Sequence, residues 1–285
     1  MLTLASAYVN AANGGYGDFL PCWCLIYSDI FGAMMYSFLT FRFRCFSSYV
    51  LGVFGVLAVL APTTVAFADF DRGLSYYQQG DAARAAVEWK QDAENGHAMA
   101  AFLVGHMYKS GNGLEQSSGL AYPYFMQAAV AGNPAAQVQI AHYFYAGDER
   151  ANIEQDYREA IGWFEKAALQ LSAEAQYYLG VMHRSGQGVT RDRAEGLRWL
   201  FLAEVKAYVP AFLLLAEIHA RGDGVVEDPV KAAMYLDLAR RYVDPAAATP
   251  VNEKMAALNK YISADERAEG LLQADMWVRA HETNE

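Results

Sequence analysis

The residues able to do chemistry in this chain of 285 are six histidines, three cysteines and a few paired acids. His106 and His142 occupy equivalent places one repeat apart, as do His183 and His219, and such pairs are where two imidazoles could share a metal. Both nitrogens would have to lie about 2.1 Å from one zinc ion. Helices in adjacent repeats stack roughly 8–10 Å apart, so the side chains would have to converge, and no third ligand is evident. His183 and His219 also stand where the other repeats carry the aromatic Tyr108 and Phe144, which is a packing role. Cys22, Cys24 and Cys45 all precede residue 46, so the rest of the chain holds no disulfide framework or thiolate cluster. The sequence contains no G-x-S-x-G elbow, no H-E-x-x-H and no phosphate-binding loop followed by Lys-Ser/Thr. Its G-x-G turns lack the preceding strand that a dinucleotide site requires. Glu154 and Asp156 fall on a loop and a helix start, where solvated carboxylates are ordinary. The expectation is a protein with no catalytic residues, no cofactor and no metal: not an enzyme.

Charge and composition narrow the alternatives further. The formal net charge of −10 argues against an electrostatic grip on nucleic acid. Hydrophobic residues at 54% and charged residues at 19% supply a packed core and exclude intrinsic disorder.

The first 68 residues read as an address. Phe46 to Ala68 is an uncharged run behind Arg42 and Arg44, ending in Ala61-Pro62 and then Ala66-Phe67-Ala68, small residues at signal-peptidase spacing. Cleavage is expected after Ala68, with residues 34–68 as the signal and 1–33 as an upstream extension ahead of a start at Met34 or Met35. An uncleaved anchor is the competing reading of the apolar run. A membrane segment over Leu20 to Phe41 would have to carry Asp29 in lipid. The positive-inside rule keeps Arg42 and Arg44 in the cytoplasm and sends the remainder across, to the periplasm or outside. Asp18, Asp29, Arg42 and Arg44 cancel, so the exported part keeps the whole negative charge.

These residues must be held by a repeating framework. Aromatics recur at Trp89, Tyr124, Trp163, Trp199 and Tyr235, with steps of 35, 39, 36 and 36. Three residues before them stand Ala86, Ala121, Ala160, Gly196 and Ala232, and four after them Ala93, Ala128, Ala167, Ala203 and Ala239. Offsets of three and four share one helical face, so small residues flanking a ring mark a close helix–helix contact. Ser117, Asp156, Asp192 and Asp228 precede four of the aromatics by seven, as N-caps. Glu159 and Glu195 complete capping boxes, and Pro229 suits a first turn. A second helix precedes each of these, with Gly105, Ala141, Gly180 and Ala216 as another small column. It ends at Gly111, Gly147, Gly186 and Gly222, each able to turn left-handed. Three of the loops continue to a second glycine and an aliphatic residue, Leu114, Val189 or Val225. The loop Gly147 to Ile153 inserts three residues and drops that glycine.

The run A-x-A-x-x-x-L-G, G-x-G-V, D-x-x-x-A-x-x-W and K-A-A resembles Sel1-like repeats, relatives of the tetratricopeptide repeat. It is clearest between Asp156 and Asp192, through Trp163, Lys166-Ala-Ala168, Ala173, Ala175, Leu179-Gly180 and Gly186-Gln-Gly-Val189. The resemblance implies an all-α, right-handed solenoid of stacked helix pairs. Repeats would occupy 98–243, behind a tetratricopeptide-like cap at 69–97 (Gly73, Tyr76, Tyr77, Gly80-Asp81) and ahead of a C-terminal helical cap at 244–285 opened by Ser263-Ala-Asp-Glu266. Leu171 and Ala207 stand where the family carries glycine, so tighter or differently angled connections are expected there.

The resemblance further implies a concave groove lined by the first helix of each pair. Carried over by position, it places Met99, Phe102, His106 and Lys109 on the groove from the first repeat. Val138, His142 and Tyr145 follow from the second, Glu174, Tyr177, Val181 and Arg184 from the third, and Leu213 and Glu217 from the fourth. Such a floor suits an extended or helical peptide. The function expected is an exported, monomeric interaction module for a protein or peptide, regulating a cell-envelope signalling or assembly system, with no nucleic-acid partner and with membrane contact only through an uncleaved signal. Some Sel1-like proteins hydrolyse cell-wall or β-lactam substrates, but this chain lacks their repeated cysteines. A structural spacer is the third reading.

Overall fold

The computed structural model describes residues 68–282, within the compact unit Ala66–Glu285. The expected extension (1–33), the body of the signal (34–67) and the Leu20 to Phe41 segment lie outside the described residues. Twelve α-helices and no strand occur among the described residues. Helices α1 (Ala68–Gln78) and α2 (Ala82–Glu94) form a first hairpin. Four pairs follow: α3 (Ala98–Ser110) with α4 (Ser118–Val130), α5 (Pro134–Ala146) with α6 (Tyr157–Leu169), α7 (Ala173–Ser185) with α8 (Arg193–Val205), and α9 (Val209–Arg221) with α10 (Pro229–Tyr242). Helices α11 (Ala248–Leu258) and α12 (Ala264–Glu282) close the unit. Each repeat helix packs on its own partner and each second helix packs on the next first helix, the pattern of a solenoid.

The small columns bring the helices close. Ala86, Ala121, Ala160 and Ala232 are fully buried, as are Ala93, Ala128, Ala167, Ala203 and Ala239. The aromatic column needs a correction of register. Trp89 lies eight residues after its N-cap Asp81, whereas Tyr124, Trp163, Trp199 and Tyr235 lie seven after theirs. Counted from the caps, Trp89 belongs with Phe125, Phe164, Leu200 and Leu236, and all five are at most 3% exposed. A Cβ added at Gly105 would lie 2.8 Å from the Phe125 ring, and one at Gly180 would lie 2.7 Å from Leu200. Of the seven-place rings, Tyr124, Trp163 and Trp199 lie further out and Tyr235 is buried. Tyr124 stacks on Tyr108 with centroids 5.7 Å apart, and the Lys166 ammonium sits 3.7 Å over Trp163.

Caps and turns repeat as closely as the core. Ser117, Asp156, Asp192 and Asp228 each accept a first-turn amide, from Leu120, Glu159, Glu195 and Lys231 respectively. The reciprocal half of the expected box is absent at both Asp156 and Asp192, whose amides donate to Phe144 and His183, and Glu195 pairs instead with Arg198 at 3.1 Å. It is complete at Ser263, whose amide donates to Glu266 while its hydroxyl accepts from the Glu266 amide. Every hairpin also carries one recurring bond, in which the N-cap amide of the second helix donates to a carbonyl near the end of the first. Asp81 donates to Tyr76, Ser117 to Tyr108, Asp156 to Phe144, Asp192 to His183 and Asp228 to His219, all within 2.8–2.9 Å. The bond survives the long loop because the inserted residues fold on themselves: Asp148 caps a short 3-10 turn over Glu149–Ala151 and exchanges two backbone bonds with Ile153.

The connections at Leu171 and Ala207 differ from expectation. They are the ordinary turn, kept without its glycine. Gly96, Gly132, Leu171 and Ala207 all have positive φ (90°, 93°, 64° and 51°), and in all four the following amide donates five residues back, to Asp92, Ala128, Ala167 and Ala203. This is the helix-terminating geometry that glycine adopts without a Cβ penalty. Leu171 is 63% exposed, so its side chain returns little packing for the strain. Leu171→Gly and Ala207→Gly are each expected to stabilise the fold by about 0.5–1 kcal/mol, read as a raised urea midpoint with unchanged m. Gly180→Ala, which drives a methyl into Leu200, is expected to cost about 1–3 kcal/mol in the same titration.

Candidate functional site: the face of the first helices

The first helices α3, α5, α7 and α9 all contain 13 residues, so equivalent positions can be compared by number from the N-cap. Position 3 is Ala100, Ala136, Ala175 and Ala211, all fully buried, and position 7 is Val104, Ile140, Leu179 and Leu215, equally buried. Positions 2, 5, 9 and 12 hold the residues placed on the groove, and here the repeats diverge. Position 5 is Phe102, Val138, Tyr177 and Leu213. Position 9 is His106, His142, Val181 and Glu217.

Most of the expected groove residues are partly accessible. Met99, Phe102, His106, His142, Tyr145, Glu174, Tyr177, Val181, Leu213 and Glu217 are half-buried, and Lys109 is exposed. Two are corrected. Val138 is 2% exposed, inside the core of the second repeat with Phe164 and Leu179. Arg184 is 7% exposed, and its Nη2 donates to the backbone carbonyl and carboxylate of Asp223, at 2.9 and 2.7 Å. Arg184 thus ties one repeat to the glycine loop of the next, a demand that position alone does not reveal.

The remaining residues meet across repeat boundaries. Lys109 Nζ donates to Gln139 Oε1 at 2.7 Å, and His142 Nε2 lies 2.8 Å from Glu174 Oε1. The His142 ring stands edge-on to Tyr178, with centroids 4.6 Å apart. Tyr178 meets Tyr145 at 5.5 Å and Tyr177 at 5.3 Å, and Tyr177 meets Tyr208 at 5.6 Å. Burial raises the phenol pKa of Tyr177, Tyr178 and Tyr208, and for Tyr178 and Tyr208 the Glu174 charge is the next cause. Beside this cluster, Tyr177, Val209, Leu213, Leu214 and Val251 line an apolar cleft of about 330 Å³, with Asp244 and Lys254 on its rim. Lys254 is held by Glu217 at 2.6 Å.

Tyr178, Tyr208 and the α11 residues were not legible as site residues. Tyr208 carried a signal nonetheless: His97, Asn133 and Ser172 cap the equivalent helices with their side chains, and Tyr208 does not. A residue that breaks a local rule kept by its counterparts is a candidate for function.

His183 and His219 follow the packing expectation in part. His219 is buried at the position of Phe144 and stacks on Tyr235 with centroids 5.8 Å apart. Among the described residues, no three His, Cys, Asp or Glu side chains converge as a metal site would need.

A stacked-hairpin solenoid whose first helices share a framework and differ at the face defines a class, the helical-repeat proteins. Within it the family model for the Sel1 repeat matches residues 98–133, 134–170, 173–203 and 212–241. The chain belongs to the Sel1 repeat proteins. It is 33% identical over 103 residues to the chitin synthase regulator SKT5 of Saccharomyces cerevisiae, covering 36% of this chain and 15% of that one. It is 27% identical over 133 residues to the exopolysaccharide production negative regulator of Rhizobium meliloti, covering 43% of this chain and 50% of that one. The chain thus spans half or less of these relatives' own lengths. In fold it is similar to a Sel1 repeat protein from Oxalobacter formigenes, with a TM-score of 0.57 at 20% identity over 72% of this chain and 86% of that one. It is also similar to c5321, a protective antigen of uropathogenic Escherichia coli strains, with a TM-score of 0.50 at 21% identity over 74% and 52%.

His219 sets a pH dependence. Neither ring nitrogen has a hydrogen-bond partner, and burial, followed by the Lys231 ammonium, lowers its pKa below the ordinary imidazole value. A folded-state pKa below the unfolded one favours the neutral ring, so its contribution is complete above about pH 6.5 and is lost as pH falls below it. His219→Phe, the residue of the second repeat, is expected to raise stability by about 1 kcal/mol near pH 7 and to flatten the loss between pH 6.5 and 5. Thermal melts across that range check both.

Proposed function

We infer that this protein is a regulatory binding module that recognises a protein or peptide on the face of α3, α5, α7 and α9. The observation that carries the reading is the contrast along those helices: positions 3 and 7 are uniform and buried, whereas positions 5 and 9 are varied and, buried Val138 apart, partly accessible. A scaffold that needed only to stack would have no reason to place Phe102, His142, Tyr177 and Glu217 at equivalent, open positions. Two curated relatives are named as regulators, one of chitin synthase and one of exopolysaccharide production, which supports a regulatory role for this chain. The apolar run before Asp69 and the small residues Ala66-Phe67-Ala68 support export to the periplasm or beyond, and a partner in the cell envelope.

Two measurements test this. A photo-crosslinking residue at Phe102 or Leu213 is expected to give a discrete adduct in whole cells that Tyr177→Ala abolishes, while the same probe at exposed Glu165 on α6 gives none. Equal labelling from both faces would sink the groove reading. N-terminal sequencing of the native protein is expected to begin at Asp69.

A further inference from the structure

Glu174 stands at the middle of the open face with half of its carboxylate uncommitted. Its Oε1 is taken by His142, and among the described residues no Lys or Arg nitrogen reaches ion-pair distance of it. The rings gathered around it meet at steep angles: 81° between Tyr177 and Tyr178, 85° between His142 and Tyr178, and 57° between Tyr177 and Tyr208. Tyr178 itself lies flat on Phe164, with centroids 5.0 Å apart and planes 2° apart, so the cup formed by the inclined rings is backed on one side by that stack. A carboxylate beside phenol faces attracts a compact cation, because the ring quadrupole and the charge act in the same sense. Tyr177 belongs both to this cup and to the wall of the apolar cleft, so the two features are neighbours. The nearby Glu217 is already paired with Arg221 and Lys254, whereas Asp244, which lines the cleft, has no Lys or Arg partner among the described residues. The formal charge of −10 draws a basic partner toward this surface.

We propose that this part of the face is a two-part subsite, in which Glu174, Tyr178 and Tyr208 hold an arginine or lysine side chain of the partner while the Tyr177–Leu213–Val251 cleft takes a large apolar side chain close to it in sequence. An extended peptide places residues i and i+2 on the same side, about 7 Å apart, which matches two sites sharing one tyrosine. The inference rests on the groove reading and names the chemistry of its ligand. Asp244, which also lines the cleft, adds a second carboxylate without a Lys or Arg partner among the described residues.

The test is selection of a phage-displayed library of random peptides on the whole chain, followed by affinity measurement of the enriched peptides. Peptides carrying Arg or Lys within two residues of Leu, Ile, Met, Phe or Trp are expected. Glu174→Gln is expected to weaken them about tenfold, Tyr208→Leu comparably, and Leu213→Ala more for peptides with aromatic anchors. Glu174→Gln is isosteric and surface-facing, so an unchanged melting curve separates lost binding from lost fold, should Tyr208→Leu not fold. Enriched peptides that lack a basic residue, or that bind Glu174→Gln as well as the parent, overturn this subsite and leave the groove reading standing. Enriched peptides that still bind when Phe102, His142 and Tyr177 are all changed to Ala overturn both. Failure of any peptide to enrich, with retention on immobilised exopolysaccharide or chitin instead, also overturns both and assigns the cup to a sugar.

Discussion

The structure depends on how closely two helices can approach at a single small residue. At Gly105 and Gly180 there is no room for a methyl group, because the Phe125 ring and the Leu200 side chain already fill the space. Gly73 faces Trp89 in the same way, and Ala141 and Ala216 belong to the same clusters as Phe164 and Leu236. One large residue per second helix seated on one small residue per first helix sets the separation of every hairpin, and a constant separation lets the hairpins stack. The end hairpins use the same rule with different partners. On the C-terminal side, a Cβ at Gly270 of α12 would meet Ala233, and Trp277 anchors that helix by donating to Glu204 at 2.8 Å.

Backbone bonds make the framework tolerant of its loops. The amide of each second-helix N-cap reaches the same carbonyl row whether five, nine or twelve residues separate donor from acceptor, as in Asp81 to Tyr76, Ser117 to Tyr108 and Asp156 to Phe144. The inserted turn after Gly147 therefore changes one edge of the solenoid without shifting the helices. The second glycines show the complementary constraint: a Cβ at Gly113 or Gly188 would collide with the first residue of the preceding second helix, Ala82 or Tyr157. Where that glycine is missing, Ile153 packs against the core and the Arg150 carbonyl approaches Gly119.

Sequence periodicity was a good guide to what is uniform and a poor one to what is particular. The Ala columns, the four N-caps and the left-handed glycines could be read because each is demanded independently by the local geometry of every repeat. The true core column was harder to see because it changes chemistry, from Trp89, Phe125 and Phe164 to Leu200 and Leu236, while the conspicuous rings one place earlier repeat their type and, Tyr235 apart, lie half outside. Leu171 and Ala207 show that a turn can persist when its preferred residue is gone, since five-residue backbone bonds and the packing on either side over-determine it. Of the candidate face, the partly accessible positions could be read from the repeat and the buried exceptions could not. Val138 and Arg184 share the periodicity of Phe102 and Lys109, but burial is decided by the neighbouring repeat, and Tyr208 and Val251 enter through a turn and a capping helix that the repeat pattern does not describe.

The division of labour within each first helix explains how such a protein can acquire a ligand at all. In a single closed core, altering a residue at the contact surface disturbs packing throughout. Here positions 3, 7 and 8 carry the stacking, and changes at positions 5 and 9 are felt only by one neighbour on each side. His142 reaches Glu174 and Lys109 reaches Gln139, but neither contact extends beyond the adjacent repeat. The face can therefore change character along its length, from Lys109 and His106 at one end to Glu174, Tyr177 and Glu217 at the other, at little cost to the rod that presents it. A chain built this way can vary its exposed residues repeat by repeat while the framework beneath them stays the same.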